Sequence, residues 1–198
     1  MRKDRGMMGI GALIIFIAVI LVAAVAASVL ITTGGSLQQK ALITGAQTEE
    51  SVASGLEFMH VVASDASQAS AEPHAVEDFK MMARLKSGSQ GINLNNTILT
   101  IDTETQSTTR VYGQTYAVDT LTASTVSFDL YYVQEGVSHE DGYLNRGDIV
   151  NILFHMEPSI MENQYVAIKV IPRVGQYTQV DFYTPDSMTA ESVSLWPS

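Results

Sequence analysis

The sequence predicts an α+β protein, a long N-terminal hydrophobic α-helix followed by an antiparallel Ig-like β-sandwich. Three observations carry this expectation. First, the 25 residues from Met7 to Ile31 contain no charged side chain. Second, a narrower apolar pattern with helical spacing continues to about Met59. Third, from His60 onward short runs of β-branched and aromatic residues alternate with turn-forming clusters and show no helical period. The expected organisation is a basic leader over 1–6, a helix over 7–59 and an outer β-domain over 60–198.

As a helix, the uncharged run would be about 37 Å long at about 1.5 Å per residue, enough to cross a hydrocarbon core of about 30 Å. It begins directly behind Arg2-Lys3-Asp4-Arg5-Gly6. A secretory signal has a shorter apolar core with its cleavage site on the far side. Here the basic segment and its glycine come first, which puts the plausible cut before the apolar run. A helix kept at the mature N-terminus needs a later use, and packing against copies of itself is the obvious one. By the positive-inside rule Arg2, Lys3 and Arg5 stay cytoplasmic and the C-terminal bulk faces outward. Small residues recur four apart, Ala23 with Ala27 and Ala24 with Ser28, a spacing that lets helices approach closely, although alanine is common in membrane helices in any case. Thr32-Thr33-Gly34-Gly35 interrupts the pattern, and Leu37, Ala41, Val52, Leu56 and Met59 then resume a narrower apolar face. Together the two segments read as one locally loosened helix approaching 80 Å at about 1.5 Å per residue.

Residues 64–71, rich in Ser and Ala, read as a loop. Strands are expected at 79–85, 98–103, 109–112, 126–133, 149–155, 165–171, 179–183 and 192–196. Turn clusters separate them: Gly88-Ser89-Gln90-Gly91, 136–142, Asn145-Arg146-Gly147-Asp148 and 172–175. Regular short strands with such punctuation argue for a sandwich.

Composition separates two solvents. The mean hydropathy of +0.13 averages an extremely apolar head with a polar, acidic remainder. Formal charge is −10, and loss of the leader leaves 8 basic against 20 acidic residues, or −12. An acidic surface with scattered cations disfavours nucleic acid. Cysteine is absent, so disulfides and thiol chemistry are excluded. There is no G-x-x-x-x-G-K-[ST] phosphate loop and no G-x-S-x-G elbow, and Ser89 fits a turn. His139-Glu140-Asp141-Gly142-Tyr143 begins like a zinc-protease helix but lacks the second histidine, so a solvated acidic loop is the better reading. With Glu135 that loop could hold a hard divalent cation such as calcium, although its spacing is not that of an EF-hand. Asp102 and Glu104 share a face of an extended segment and would read as exposed charge. His60, His74 and His155 form no ligand cluster in sequence. No catalytic group or cofactor is expected. Asn95-Asn96-Thr97 is the one N-x-[ST] sequon and makes Asn95 the candidate acceptor of an N-linked glycan.

The N-terminus resembles that of the archaellins, the archaeal flagellins. The resemblance rests on Asp4-Arg5-Gly6-Met7-Met8-Gly9-Ile10-Gly11, on Leu13-Ile14-Ile15-Phe16-Ile17-Ala18 and on Leu21-Val22-Ala23-Ala24-Val25-Ala26-Ala27. It continues through Ser28-Val29-Leu30-Ile31 and Gly34 to Gln39-Lys40-Ala41. About fifty residues carry it strongly. Asn145-Arg146-Gly147-Asp148-Ile149-Val150 and Thr184-Pro185 are weaker matches to the family's later turn and hairpin. The resemblance implies cutting by a prepilin-type peptidase after Gly6, with Arg5 read by the enzyme and Met7 as the new N-terminus. The residue before that arginine is more often basic in the family and in some members acidic, and Asp4 stands there in this chain. The implied assembly helix includes Gly9, Gly11, Leu13, Ile14, Phe16, Ile17, Leu21, Ala24, Ala27 and Leu30. Bacterial type IV pilins carry glutamate at the fifth mature position; Gly11 stands there in this chain. The implied partners are copies of itself or other archaellins in a filament, the membrane before assembly, and an ATP-driven membrane assembly and rotary motor platform. The implied function is a structural, non-enzymatic subunit of an extracellular filament for swimming and surface attachment. An adhesive archaeal pilin, or an extracellular domain on an uncleaved anchor, are the alternatives.

Overall fold

The computed structural model describes residues 3–66, 75–119 and 124–197, with side chains from residue 9 onward. Helix α1 spans Lys3–Ala53, 51 residues. Strands follow in order: β1 Leu56–Ala63, β2 Ala75–Leu85, β3 Ile92–Asn93, β4 Ile98–Thr103, β5 Ser107–Tyr116, β6 Ser127–Gln134, β7 Tyr143–Leu144, β8 Ile149–Met161, β9 Tyr165–Ile171, β10 Thr178–Tyr183 and β11 Val193–Trp196. Contacts divide the chain into two units, Met1–Thr48 and Glu49–Ser198.

The β-unit is built on one nine-stranded ladder in the order β10-β9-β4-β5-β6-β8-β2-β1-β11, beside a small β3–β7 pair. Its pairings are antiparallel except that β5 and β6 run parallel. The sheet curls over on itself: Thr178 Oγ1, on edge strand β10, donates to the Leu56 carbonyl of β1 at 2.9 Å. The architecture is consistent with the expected Ig-like sandwich, with both layers drawn from one continuous ladder. The period-2 alternation of the strands fills the space between the layers. On β4 and β9, Leu99, Ile101, Val166, Ile168 and Val170 are buried; Phe79 of β2 stacks on Phe154 of β8 with centroids 5.3 Å apart.

The eight expected strands are all present, several longer than expected. One boundary is corrected. The helix does not reach Met59 but ends at Ala53, and Leu56–Ala63 is a strand. Leu56, Phe58, Val61 and Ala63 are buried in β1, which pairs with β2 on one side and β11 on the other. Gly55 breaks the helix, and two flanking strands supply the backbone partners that a further helical turn would have supplied internally. Met59 is the extra residue of a bulge, since Phe58 pairs with Ala83 and His60 with Met82. The bulge upsets the alternation that would have marked the strand. Of the expected loop at 64–71, residues 67–71 lie outside the described residues, as does His74.

Candidate functional site

The helix from Gly9 to Thr48 is exposed along its whole length in the single chain. The fourteen large apolar side chains between Ile10 and Ile31 are each 49% to 75% exposed. Ile10 and the run Leu13, Ile14, Ile15, Phe16 and Ile17 point in every direction at about 100° per residue, so the helix is apolar all round and has no solvent face. Such a helix is found where no water reaches it. At about 1.5–3 kcal/mol for each large side chain removed from water, full burial of this set favours association by more than 20 kcal/mol. The candidate residues Leu13, Ile14, Phe16, Ile17, Leu21 and Leu30 belong to this set, with Gly9, Gly11, Ala24 and Ala27 as low points between them. A Cβ on Gly9 or Gly11 would meet no atom of this chain within 4 Å. The space above these glycines is therefore open to a neighbour.

The helix is not broken at Thr32-Thr33-Gly34-Gly35. Thr32 and Thr33 return their hydroxyls to the carbonyls of Ser28 and Val29 at 2.8 and 2.7 Å. Back-bonding of this kind satisfies the hydroxyl locally, so two polar residues are carried without needing water. Arg5, Gly6 and Met7 fall within the helical backbone, so the Gly6–Met7 bond is part of the helix.

At the other end, the chain leaves the helix through a clamp that sequence reasoning missed. Ser54 N closes the last turn onto Glu50 O at 3.0 Å, and the Ser54 carbonyl accepts from Gln176 N at 2.9 Å. Gly55 N donates to Ser89 Oγ at 3.0 Å, while Gly55 O accepts from Lys86 N at 3.0 Å. Gly175, at φ +112°, lies so close to Ser54 that a Cβ there would stand 2.8 Å from the Ser54 carbonyl. Two turn clusters evident in sequence, around Ser89 and Gly175, thus meet the two residues that follow the helix, Gly55 and Ser54 respectively. Ser89 is a buried structural donor and acceptor rather than a nucleophile.

Asn145-Arg146-Gly147-Asp148 forms a turn closed by Asp148 N to Asn145 O at 3.1 Å, with Gly147 at φ +92°. The buried Asp148 carboxylate accepts from Gly136 N at 2.6 Å and Asn145 N at 2.8 Å, tying the turn to the 135–142 loop. In that loop His139 lies 4.0 Å from Glu135, 3.5 Å from Asp141 and 3.7 Å from Asp148, and its ring meets Tyr132 edge-on at 4.4 Å. Burial pushes the Tyr132 phenol well above its ordinary pKa, and its hydroxyl donates to Tyr143 O at 2.6 Å. Among the described residues no group of three His, Cys, Asp or Glu side chains is arranged to hold a metal ion.

Asp102 accepts from Ser107 Oγ and lies 3.4 Å from Lys169 Nζ; the Ser107 bond first, then Lys169, hold its carboxyl below the usual range. Glu104 lies beyond the end of β4, in the turn closed by Thr103 N to Gln106 O, rather than on one strand face with Asp102. His155 Nδ1 is 2.7 Å from Asp78 Oδ1, and His60 lies half-buried on β1. Thr184 is buried and fastens the β8–β9 hairpin, its Oγ1 donating to Met161 O at 2.7 Å and accepting from Gln164 N at 2.8 Å. Asn95 is exposed on a short 3-10 turn, Leu94–Asn96, whose cap is the Asn93 side chain accepting from Asn95 N at 2.9 Å.

The model of the archaeal-type flagellin family matches residues 6–182. Flagellin B2 of Methanocaldococcus jannaschii is 34% identical over 93% of this chain and 91% of its own length. Flagellin B1 of Methanococcus voltae is 33% identical over 98% of this chain and 97% of its own. Two solved structures share the fold. The archaeal flagellum of Methanospirillum hungatei aligns with TM-score 0.69 at 17% identity, over 94% of this chain and 98% of that one. The crystal structure of an archaeal flagellin from Methanocaldococcus jannaschii aligns with TM-score 0.65 at 20% identity, over 72% of this chain and 97% of that one. With a helix that demands company, a clamped β-domain and relatives that match it end to end, the chain belongs to the archaeal-type flagellins, the structural proteins of the archaellum filament.

Proposed function

We infer that the chain works by exchanging one water-free environment for another. It is a subunit of the archaellum filament, and the observation that carries the reading is the helix from Gly9 to Thr48, apolar on every side over its first half and uncovered by its own chain. Before assembly the helix rests in the membrane, which its length and apolarity suit. During assembly it moves from lipid to a bundle of equivalent helices, and its apolar surface stays out of water throughout. Lipid tails are as apolar as neighbouring helices, so that transfer is nearly balanced and is driven by close packing and by outside work. The chain carries no phosphate-binding loop, and the work comes from a membrane platform that assembles and rotates the filament. Rotation serves swimming, and the same fibre serves surface attachment.

Cleavage by a prepilin-type peptidase between Gly6 and Met7 releases the helix for assembly, with Arg5 as the residue read. The basic leader fits this role through its charge and through the glycine directly before the apolar run. Asn95 carries the N-linked glycan, supported by its sequon and its exposure on the Leu94–Asn96 turn. The chain is proposed to have no catalytic activity.

Sheared surface filaments test the reading in one preparation. Electron microscopy should show filaments that disappear, together with swimming, when the gene is deleted. Mass spectrometry should find Met7 as the first residue and a glycan mass on the peptide containing Asn95. A surface protein retaining Met1 to Gly6 would sink the processing step, and filaments unaffected by the deletion would sink the structural role.

A further inference from the structure

Without its leader the chain has 8 basic residues against 20 acidic ones, and Arg84, Lys86 and Arg146, three of the 8, line one cavity. The cavity, of about 410 Å³, opens where the end of β2, the end of β6 and the start of β8 come together. Strand pairing fixes the place. Ile149, the first residue of β8, stands opposite Arg84 of β2 on one side and Gln134 of β6 on the other. The turn that follows β2 and the turn that precedes β8 are thereby brought to the same end of the sheet. Each carries a glycine at positive φ, Gly88 at +84° and Gly147 at +92°. Lys86 belongs to the first turn, Arg146 to the second, and Arg84 to the last residues of β2.

The charges in the lining are nearly all of one sign and nearly all open. Lys86 and Arg146 are exposed, and neither side chain has a partner among the described residues. Arg84 gives only its Nε to Glu57, at 3.0 Å, and keeps both η nitrogens free. The one carboxylate in the lining is Asp148, which is 2% exposed and has its oxygens occupied by the N–H groups of Gly136 and Asn145. An anion entering the cavity therefore meets positive charge and N–H donors, on a domain that elsewhere repels it. A guanidinium is a planar fork that fits a carboxylate through two parallel hydrogen bonds, and an ammonium adds a point charge beside it. There is also room for more than the anionic group, since small-ligand sites run from about 300 to 1,000 Å³. The remaining wall is polar: Ser87 supplies a hydroxyl, and Gln134, whose Nε2 is fixed on Gly147 O at 3.2 Å, keeps its Oε1 as an acceptor. Cations for a carboxylate, with a hydroxyl and an amide for a hydroxylated body next to it, describe an acidic sugar.

We propose that Arg84, Lys86 and Arg146 bind the carboxylate of an acidic sugar residue, and that through this site the filament attaches to surfaces that carry uronates. The proposal deepens the attachment role given above and rests on that reading. A single site of this kind is weak, because its cations stand in solvent. A filament repeats it on every subunit, and simultaneous engagement raises the overall affinity by about 10²–10⁴. In saturation-transfer NMR on the full chain in detergent, methyl glucuronide should receive signal and methyl glucoside should not. Lys86→Gln and Arg146→Gln should each weaken glucuronide binding about tenfold, through loss of one charge-assisted contact. Either variant reads the site if the other fails to fold. Arg173→Gln removes the same charge from an exposed residue outside this cavity and should leave binding unchanged. No transfer to the glucuronide, or an equal loss in Arg173→Gln, would overturn the proposal. So would displacement by sodium sulfate as effective as displacement by unlabelled glucuronide, which would mark a site for a free oxyanion only. Sheared filaments should be retained on beads bearing glucuronate, pass beads bearing glucoside, and lose their retention with Arg146→Gln. Filaments that pass both kinds of bead would overturn the proposal and leave the filament reading standing. A chain that forms no filaments would overturn that reading instead, and the NMR measurement on dispersed subunits tells the two failures apart.

Discussion

At Asp148 a single carboxylate organises two loops of the outer domain. Its oxygens accept separate backbone N–H groups, Gly136 at 2.6 Å and Asn145 at 2.8 Å, and the residue is 2% exposed. Hydrogen bonds to a charged group contribute about 1.5–3 kcal/mol each, and removing one partner leaves the other unsatisfied. Asp148→Ala is therefore expected to destabilise the domain by about 3 kcal/mol. Trp196, the single tryptophan, lies on β11 within the same sheet, so its fluorescence during urea unfolding of the full chain in detergent reads the loss. A change under about 0.5 kcal/mol would show the carboxylate to be dispensable. The turn itself was legible: an Asn-x-Gly-Asp cluster before a β-branched run specifies a turn into a strand. What could not be read is where the carboxylate reaches, because Gly136 is brought to it by the pairing of β6 with β8. Arg110 makes the same point more sharply. An isolated arginine after Ser107-Thr108-Thr109 reads as surface charge, yet it is 1% exposed, donates Nη1 to Ser124 O at 2.8 Å, and has its pKa lowered by burial.

At the level of elements, the helix was the most legible part and its end the least. An uncharged run needs no partner to be recognised, because length and composition alone decide which solvent it can occupy. The end depends on competition. Val52, Leu56 and Met59 keep helical spacing, but Gly55 and two waiting strands draw Leu56 onward into β1. The glycines inside the helix allow a direct test of how much the helix tolerates for the sake of assembly. A Cβ at Gly34 or Gly35 would meet nothing within 4 Å in this chain, and glycine is about 1 kcal/mol worse than alanine within a helix. Gly34→Ala and Gly35→Ala are each expected to stabilise the helix of the dispersed subunit by about 1 kcal/mol, read by circular dichroism at 222 nm during thermal melting in detergent. Lower helicity in the variants would mean that the glycines are required by the helix itself.

For the whole molecule, two large effects oppose each other in the filament, and they respond differently to salt. Helix burial draws subunits together and is not electrostatic. The outer domains are acidic, at −10 for the full chain and −12 without the six-residue leader, so neighbouring copies in the coat repel one another. The screening length falls from about 10 Å at 0.1 M salt to about 3 Å at 1 M. Raising sodium chloride across that range removes most of the repulsion between domains while leaving the burial term in place. The temperature at which filaments dissociate, followed by light scattering, is therefore expected to rise by several degrees. The sign is diagnostic. Were the copies held chiefly by ion pairs between domains, the same salt would weaken those pairs and lower the dissociation temperature. The cations on the β-unit argue against that arrangement, because three of them are already engaged within the chain: Lys80 with Asp119 at 2.8 Å, Arg84 with Glu57 at 3.0 Å and Lys169 with Asp102 at 3.4 Å. A chain that uses its scarce positive charge internally, and presents its apolar helix without cover, has placed its cohesion in the helix and left the coat to be tempered by the ions around it.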